Sequence, residues 1–121
     1  MGVRSETYLM AAIRLNVERY MEVNKETDGE AFETLEVPWR GEGAEGKMGI
    51  LYDGMCGEYV LAGKIIGVSS DEGDGFSLLE VEPISQELAF EVAGWITEND
   101  LAKFVDDENH AVKNILVTHW H

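Results

Sequence analysis

The chain has 121 residues, 45% of them hydrophobic, and a formal net charge of −15. That length and apolar content allow one hydrophobic core, so we expect a single domain over 1–121. The 3 Trp, 4 Tyr and 4 Phe argue against a wholly disordered acidic chain. One cysteine, Cys56, excludes an internal disulfide, while the absence of a secretory signal pattern and of roughly 18 consecutive apolar residues argues against secretion and a membrane role. We therefore expect a cytoplasmic protein.

The first predicted element is a helix over 5–23. Ser5 is a suitable N-cap, and Leu9, Ile13 and Val17 recur at helical spacing. A strand over 7–15 competes with this interpretation, because that run is nearly all apolar. Residues 24–47 then lose periodicity and contain seven acids, which predicts a long acidic loop, anchored by apolar residues such as Phe32, Leu35, Val37 and Trp39 and with a short strand as an option.

From Gly49 onwards the chain changes to short apolar runs separated by glycine, a pattern typical of antiparallel strands. We expect three strands, near 49–53, 58–69 and 76–83. The acidic, glycine-rich segment 71–75 would form a hairpin turn, and Gly63 or Gly67 would mark a bulge.

The C-terminal part predicts a second helix capped by Ser85, with Leu88, Val92, Trp95 and Ile96 on one face. A strand over the same residues is the alternative. Thr97 and Asp100 have the spacing of a capping box that would restart a helix through Phe104, and Asn114–Trp120 would close the chain as a strand. The fold class is therefore α+β, with a mainly antiparallel sheet of about four strands, an N-terminal helix and a C-terminal helical region.

The negative charge is concentrated in one part of the sequence. Residues 71–112 carry twelve acids and one base, whereas residues 1–25 carry three acids and four bases. Such a local field favours a cationic partner and disfavours direct binding of nucleic acid. Carboxylates displayed in rows would occupy a basic groove made for nucleic acid. The candidate partner-binding residues are Trp39, Asp71, Glu72, Asp74, Glu80, Glu82, Glu87, Glu91, Glu98, Asp106, Asp107 and Glu108.

Two other functions stay open from the residues alone. His119 and His121 would point the same way on a strand and would share a metal ion with His110 or Cys56, giving a metal-binding protein or a small metal-dependent enzyme. The set is incomplete for zinc, so we expect no cofactor, no native metal and no enzymatic activity. The other alternative is a small-molecule-binding module with an apolar pocket under the 24–47 loop. Self-association as a symmetric dimer is also open.

Three segments resemble small uncharacterised proteins of tailed bacteriophages: the opening residues Met1–Glu6, the run from Tyr59 to Val68, and the end of the chain from Thr118 to His121. The resemblance implies a phage setting, in which small acidic proteins, anti-CRISPR proteins among them, block host defence complexes. It transfers no catalytic residues. Together with the charge, it leads us to expect an acidic inhibitor that binds a basic, nucleic-acid-handling host protein or complex.

Overall fold

The computed structural model describes residues 5–37, 44–53, 57–70, 83–106 and 111–120, with the backbone alone at 5, 6, 69, 70, 119 and 120. Its elements are β1 (Ser5–Arg14), α1 (Val17–Glu26), β2 (Met48–Tyr52), β3 (Val60–Ser70), α2 (Gln86–Glu98), a short 3-10 helix (Ala102–Phe104) and β4 (Lys113–Trp120). The four strands form one antiparallel sheet in the order β2-β3-β1-β4. The expected α+β class is therefore confirmed.

The helix predicted over 5–23 is wrong in its first half, where the chain forms β1. Every side chain from Tyr8 to Ile13 is at most 5% exposed, because β1 lies between β3 and β4 and is buried on both faces. A strand buried on both faces has a continuous apolar run, which periodicity cannot distinguish from a buried helix. The competing strand over 7–15 is the correct interpretation here.

The N-terminal helix, α1, is capped by Asn16 and not by Ser5. The side-chain oxygen of Asn16 accepts a hydrogen bond from the backbone N–H of Arg19 at 3.0 Å, which satisfies one of the free donors at the helix start. The helix buries Tyr20 and ends at Glu26, before the C-cap residue Thr27. The predicted loop over 24–47 thus begins later than expected.

The segment after α1 is anchored to the core by two of its apolar residues. The ring of Phe32 stacks on that of Tyr20 with centroids 4.1 Å apart, and Val37 donates a backbone hydrogen bond to Ile50 of β2 at 2.8 Å. A single parallel bridge between Glu36 and Ile50 takes the place of the short strand that the sequence left as an option. The anchor expected at Trp39 lies outside the described residues.

Strands β2 and β3 form an antiparallel hairpin close to the positions expected at 49–53 and 58–69. The pairing of β3 with β1 shifts between Leu9 and Met10, which pair with Gly67 and Ile65, so that Ile66 is the extra residue of a bulge. Of the two glycines that were candidates for this bulge, Gly67 is next to it. The turn predicted at 71–75 lies outside the described residues, as does the strand predicted over 76–83 apart from its last residue, Pro83.

The helix predicted after Ser85 is confirmed as α2. The Ser85 hydroxyl accepts a hydrogen bond from the backbone N–H of Leu88 at 3.1 Å, and Val92 and Ile96 are buried. The predicted capping box is wrong, because α2 includes Thr97, whose hydroxyl donates to the carbonyl of Ala93 within the helix. The predicted restart through Phe104 is only the short 3-10 helix, and its N-cap residue, Leu101, makes no side-chain capping bond. The closing strand β4 is confirmed.

The two faces of the sheet carry separate apolar clusters. The helical face packs against α1 and α2, and its buried residues include Ala11, Ile13, Tyr20, Phe32, Ile50, Val60, Ala62, Val92, Ile96 and Phe104. The opposite face has its own buried residues, among them Tyr8, Met10, Ala12, Ala44, Leu51, Leu61 and Ile65. Alternation along β1 separates the two sets, since Ala11 and Ile13 belong to the first and Met10 and Ala12 to the second.

Candidate functional site

Four of the twelve candidate partner-binding residues lie within the described part of the chain. Three of them belong to α2, namely Glu87, Glu91 and Glu98, and the fourth is Asp106. The other eight lie outside the described residues: Trp39, Asp71, Glu72, Asp74, Glu80, Glu82, Asp107 and Glu108. The described geometry of the predicted acidic site is therefore that of α2 and of Asp106.

The three α2 acids form a row along one side of the helix. Their spacing of four and then seven residues corresponds to whole helical turns, so Glu87, Glu91 and Glu98 lie on one side, and all three are exposed. A rise of about 1.5 Å per residue gives the row a length of about 16 Å. The predicted row on one side of the second helix is thus present.

The charge density of this row is much lower than that of duplex DNA. Duplex DNA carries one charge per about 1.7 Å of axis, or roughly ten charges over the length of the row, which carries three. In addition, Lys64 of β3 lies 3.4 Å from a carboxylate oxygen of Glu91, in a partly exposed ion pair. Such pairs contribute little stability, yet they reduce the local charge. On its own, α2 does not reproduce the charge density of a DNA duplex.

An exposed aromatic ring lies beside the acid row. The side chain of Phe90 is 67% exposed, and it borders a shallow cleft of about 400 Å³ between α2 and β2. Trp95 and Met48 supply further apolar lining, while Glu91 and Glu98 border the same cleft. A large exposed ring flanked by carboxylates is suited to a partner surface that has both apolar and basic groups.

Gly94 contributes no side chain to this surface. It lies between Glu91 and Glu98 along the helix, and a methyl group added there would meet no atom within 4 Å. A glycine in a helix interior costs about 1 kcal/mol relative to alanine, so the helix is less stable with it than with alanine. We name Glu87, Phe90, Glu91, Gly94 and Glu98 together the α2 surface.

Sequence reasoning assigned the aromatic anchor to Trp39 and did not identify Phe90. The signal was nonetheless present in the helical pattern. Val92 faces the core, and Phe90, two residues earlier, is about 200° away around a helix of 3.6 residues per turn. The assignment of α2 as a helix therefore already requires Phe90 to point away from the sheet. In the alternative strand interpretation, Phe90 would instead share a face with Val92, so that interpretation does not predict an exposed ring.

Asp106 is not part of the α2 surface. Its carboxylate accepts hydrogen bonds from the side-chain amide of Asn16, at 3.2 Å and 3.5 Å, and it is only partly exposed. Because Asn16 also caps α1, Asp106 ties the segment after the 3-10 helix to the start of α1. These hydrogen bonds give Asp106 a structural role, and its expected role in partner binding stays a prediction.

The region under the described part of the predicted 24–47 loop is filled by aromatic rings. Tyr20 contacts Phe32, Tyr52 and Phe104, and its hydroxyl donates a hydrogen bond of 2.6 Å to Glu36. Burial, together with this hydrogen bond and the negative charge of Glu36, raises the pKa of Tyr20 above its ordinary value, so the phenol is neutral at neutral pH. These rings fill the space where 27–37 packs on the core, and the ligand pocket expected under the 24–47 loop stays a prediction.

Only one of the candidate metal ligands, His119, lies within the described residues, and there only its backbone is described. His119 pairs with Glu6 through the backbones of β4 and β1, and His110, His121 and Cys56 lie outside the described residues. Within the described ranges, no group of three His, Cys, Asp or Glu side chains has the geometry of a metal site. The metal-binding alternative thus remains a prediction from the sequence.

The fold and the α2 surface define a small α+β protein with an acidic helix exposed on one side of an antiparallel sheet. Compared with models of known protein families, with curated proteins and with solved structures, the chain matches none of them. Neither helix of the described part of the chain has the length and apolar character required to cross a bilayer.

Proposed function

We propose that this chain is a non-enzymatic binding protein whose α2 surface docks on a basic surface of a partner protein. The observation that carries the proposal is the exposed ring of Phe90 next to the row formed by Glu87, Glu91 and Glu98. Aromatic side chains at the centre of an interface supply a large share of binding energy, and surrounding charges steer association. A net charge of −15 adds long-range attraction to any cationic partner.

For the partner, we propose a nucleic-acid-handling host complex, of the kind that an anti-defence protein of a phage would block. The resemblance to small phage proteins and the excess of acids support this choice, because such complexes present Lys and Arg side chains to nucleic acid. DNA-like charge density would require additional acids beside the α2 row, and the candidates are those of the segments 71–82 and 107–108. The α2 surface would then provide the apolar anchor of a larger acidic interface.

The test compares two triple variants that change the net charge equally. In the first, Glu87, Glu91 and Glu98 become Gln. In the matched control, the exposed acids of α1, Glu18, Glu22 and Glu26, become Gln. Both variants carry three fewer negative charges on one exposed helix, but only the first changes the α2 surface.

Partners retained from bacterial lysate by the wild-type protein are identified by mass spectrometry, and binding of each purified partner is then measured by surface plasmon resonance at low and high salt. At about 0.2–1 kcal/mol for each exposed charge, we expect the α2 triple variant to lose roughly 3-fold to 160-fold in affinity, mainly through a slower association rate. The α1 control should remain close to wild type. Equal losses in both variants would mean that only net charge matters, and would contradict the proposal.

The variant Phe90→Ala tests the apolar anchor separately. Because the ring is mostly exposed, its removal should not destabilise the fold, whereas loss of a central aromatic contact should raise the dissociation rate by at least about 10-fold. Unchanged dissociation from every purified partner would place the interface away from α2.

A further inference from the structure

A groove lies on the opposite face of the sheet, away from α1 and α2. It has a volume of about 470 Å³, within the range of roughly 300–1,000 Å³ that is typical of small-molecule sites. Ala12 of β1 and Leu61 of β3 are buried side chains at its base, and Ile115 and Val117 of β4 add aliphatic lining. The groove thus crosses three adjacent strands and is largely apolar.

Two cations border this groove. Alternation along the strands places Arg14 on the same face as Ala12, and Lys113 on the same face as Ile115. Lys113 pairs directly with Ala12, so Arg14 and Lys113 are diagonal neighbours, with a separation of about 7–8 Å at the backbone. Both side chains are exposed and line the groove.

Neither of these cations is neutralised by an ion pair with a described residue. Lys64 and Lys103, by contrast, pair with Glu91 and Asp100. One acid, Glu58, also lines the groove, and its backbone N–H is held by the carboxylate of Asp53 at 3.0 Å. Among the described residues that line the groove, two cations and one acid sum to a charge of about +1, opposite in sign to the charge of the chain.

We infer that this groove binds a small amphiphile with one carboxylate and an aliphatic body. The carboxylate would lie between Arg14 and Lys113, and the hydrocarbon would cover Ala12, Leu61 and Ile115. The cations at the border match the charge of the carboxylate, and the apolar base of the groove matches the hydrocarbon. The inference concerns the face of the sheet opposite to the α2 surface, and it is independent of the proposed function.

Three probes of equal chain length test the inference: octanoate, octanol and octylammonium. The net charge of −15 by itself would favour the amine and disfavour the acid. If the groove is the binding site, affinity should instead be highest for octanoate, lower for octanol and lowest for octylammonium. Binding is measured by titration in ¹H–¹⁵N correlation spectra, in which octanoate should shift the amide signals of Ala12, Leu61, Ile115 and Val117. Preference for the amine, or shifts centred elsewhere, would overturn the inference.

Charge variants identify the role of the two cations. Arg14→Met and Lys113→Met keep much of the aliphatic stem while removing the charge, and we expect each to weaken octanoate binding by about threefold to fivefold. Octanol binding should not change. The matched control is Lys25→Met on α1, which removes the same charge from an exposed position that does not line the groove. If the control weakened octanoate binding equally, or if both groove variants left it unchanged, the assignment of the groove would be wrong.

Discussion

Replacement of Gly63 by alanine should strongly destabilise the sheet. Gly63 of β3 pairs with Ala12 of β1, and an added Cβ would overlap the carbonyl oxygen of Ala11 and lie 2.7 Å from Ala12 Cα. Real Cβ atoms essentially never approach other atoms closer than 3.0 Å. Since both neighbours are backbone atoms of the central strand, relief requires β1 and β3 to move apart. Overpacking typically costs about 1–3 kcal/mol, and we expect a loss of about 3 kcal/mol.

The control for this variant is Gly94→Ala in α2. An added methyl group there meets open space, so replacing the glycine should stabilise the helix by about 0.5–1 kcal/mol. For a chain of this size, each kcal/mol corresponds to a change in Tm of about 3–5 °C. Thermal unfolding followed by circular dichroism should therefore show Gly63→Ala about 9–15 °C below wild type and Gly94→Ala about 2–5 °C above it. A Tm for Gly63→Ala within 1 °C of wild type would refute the close approach of β1 and β3.

Two further predictions concern hydrogen bonds made by polar side chains. Tyr20→Phe removes the 2.6 Å hydrogen bond to Glu36 and should cost about 1–3 kcal/mol in urea unfolding at pH 7. The pKa of Tyr20 is raised on folding, so its contribution is complete below the unfolded-state pKa of about 10 and is lost as the pH rises above it. Above pH 10, the free energy of unfolding of wild type should therefore fall by about 1.4 kcal/mol more per pH unit than that of Tyr20→Phe. Equal pH dependence in the two proteins would contradict the raised pKa of Tyr20. Asn16→Ala removes both the α1 cap and the hydrogen bond to Asp106, and should lower the free energy of unfolding by about 1–2 kcal/mol. The control Ser85→Ala removes only a helix cap and should cost less. Equal losses in the two variants would mean that the hydrogen bond to Asp106 contributes nothing.

Sequence patterns were sufficient to predict an element where it has one buried face and a recognisable N-terminal cap. α2 has both features, a serine cap and an apolar side that meets the sheet, and it forms where the pattern indicates. β1 lacks them, because a central strand is apolar on both faces and its length and alanines equally suit a helix. The apolar spacing from Leu9 to Val17 crosses the junction between β1 and α1 and only imitates a helical period. Strand order resolves the ambiguity, and strand order depends on long-range pairing.

The candidate sites show the same division between local and long-range information. The acid row of α2 follows from spacing within one helix, so it was predictable. The hydrogen bond between Asp106 and Asn16 joins residues 90 positions apart, and no local pattern indicates it. The groove similarly requires the register that places Lys113 opposite Ala12, and Arg14 diagonally beside it. A shift of one residue in β4 would move Lys113 to the helical face and remove this cationic border.

Topology therefore determines how the net charge is presented to a ligand. The composition fixes a sum of −15, yet the sheet separates an acidic row on α2 from a cationic border on the face opposite to the helices. At physiological salt, charges act over a Debye length of about 8 Å, which is shorter than the roughly 10 Å between packed layers. A ligand in contact with one face is thus governed mainly by the charges of that face. An acidic chain of this size can accordingly attract a basic protein with one surface and a carboxylate with the other.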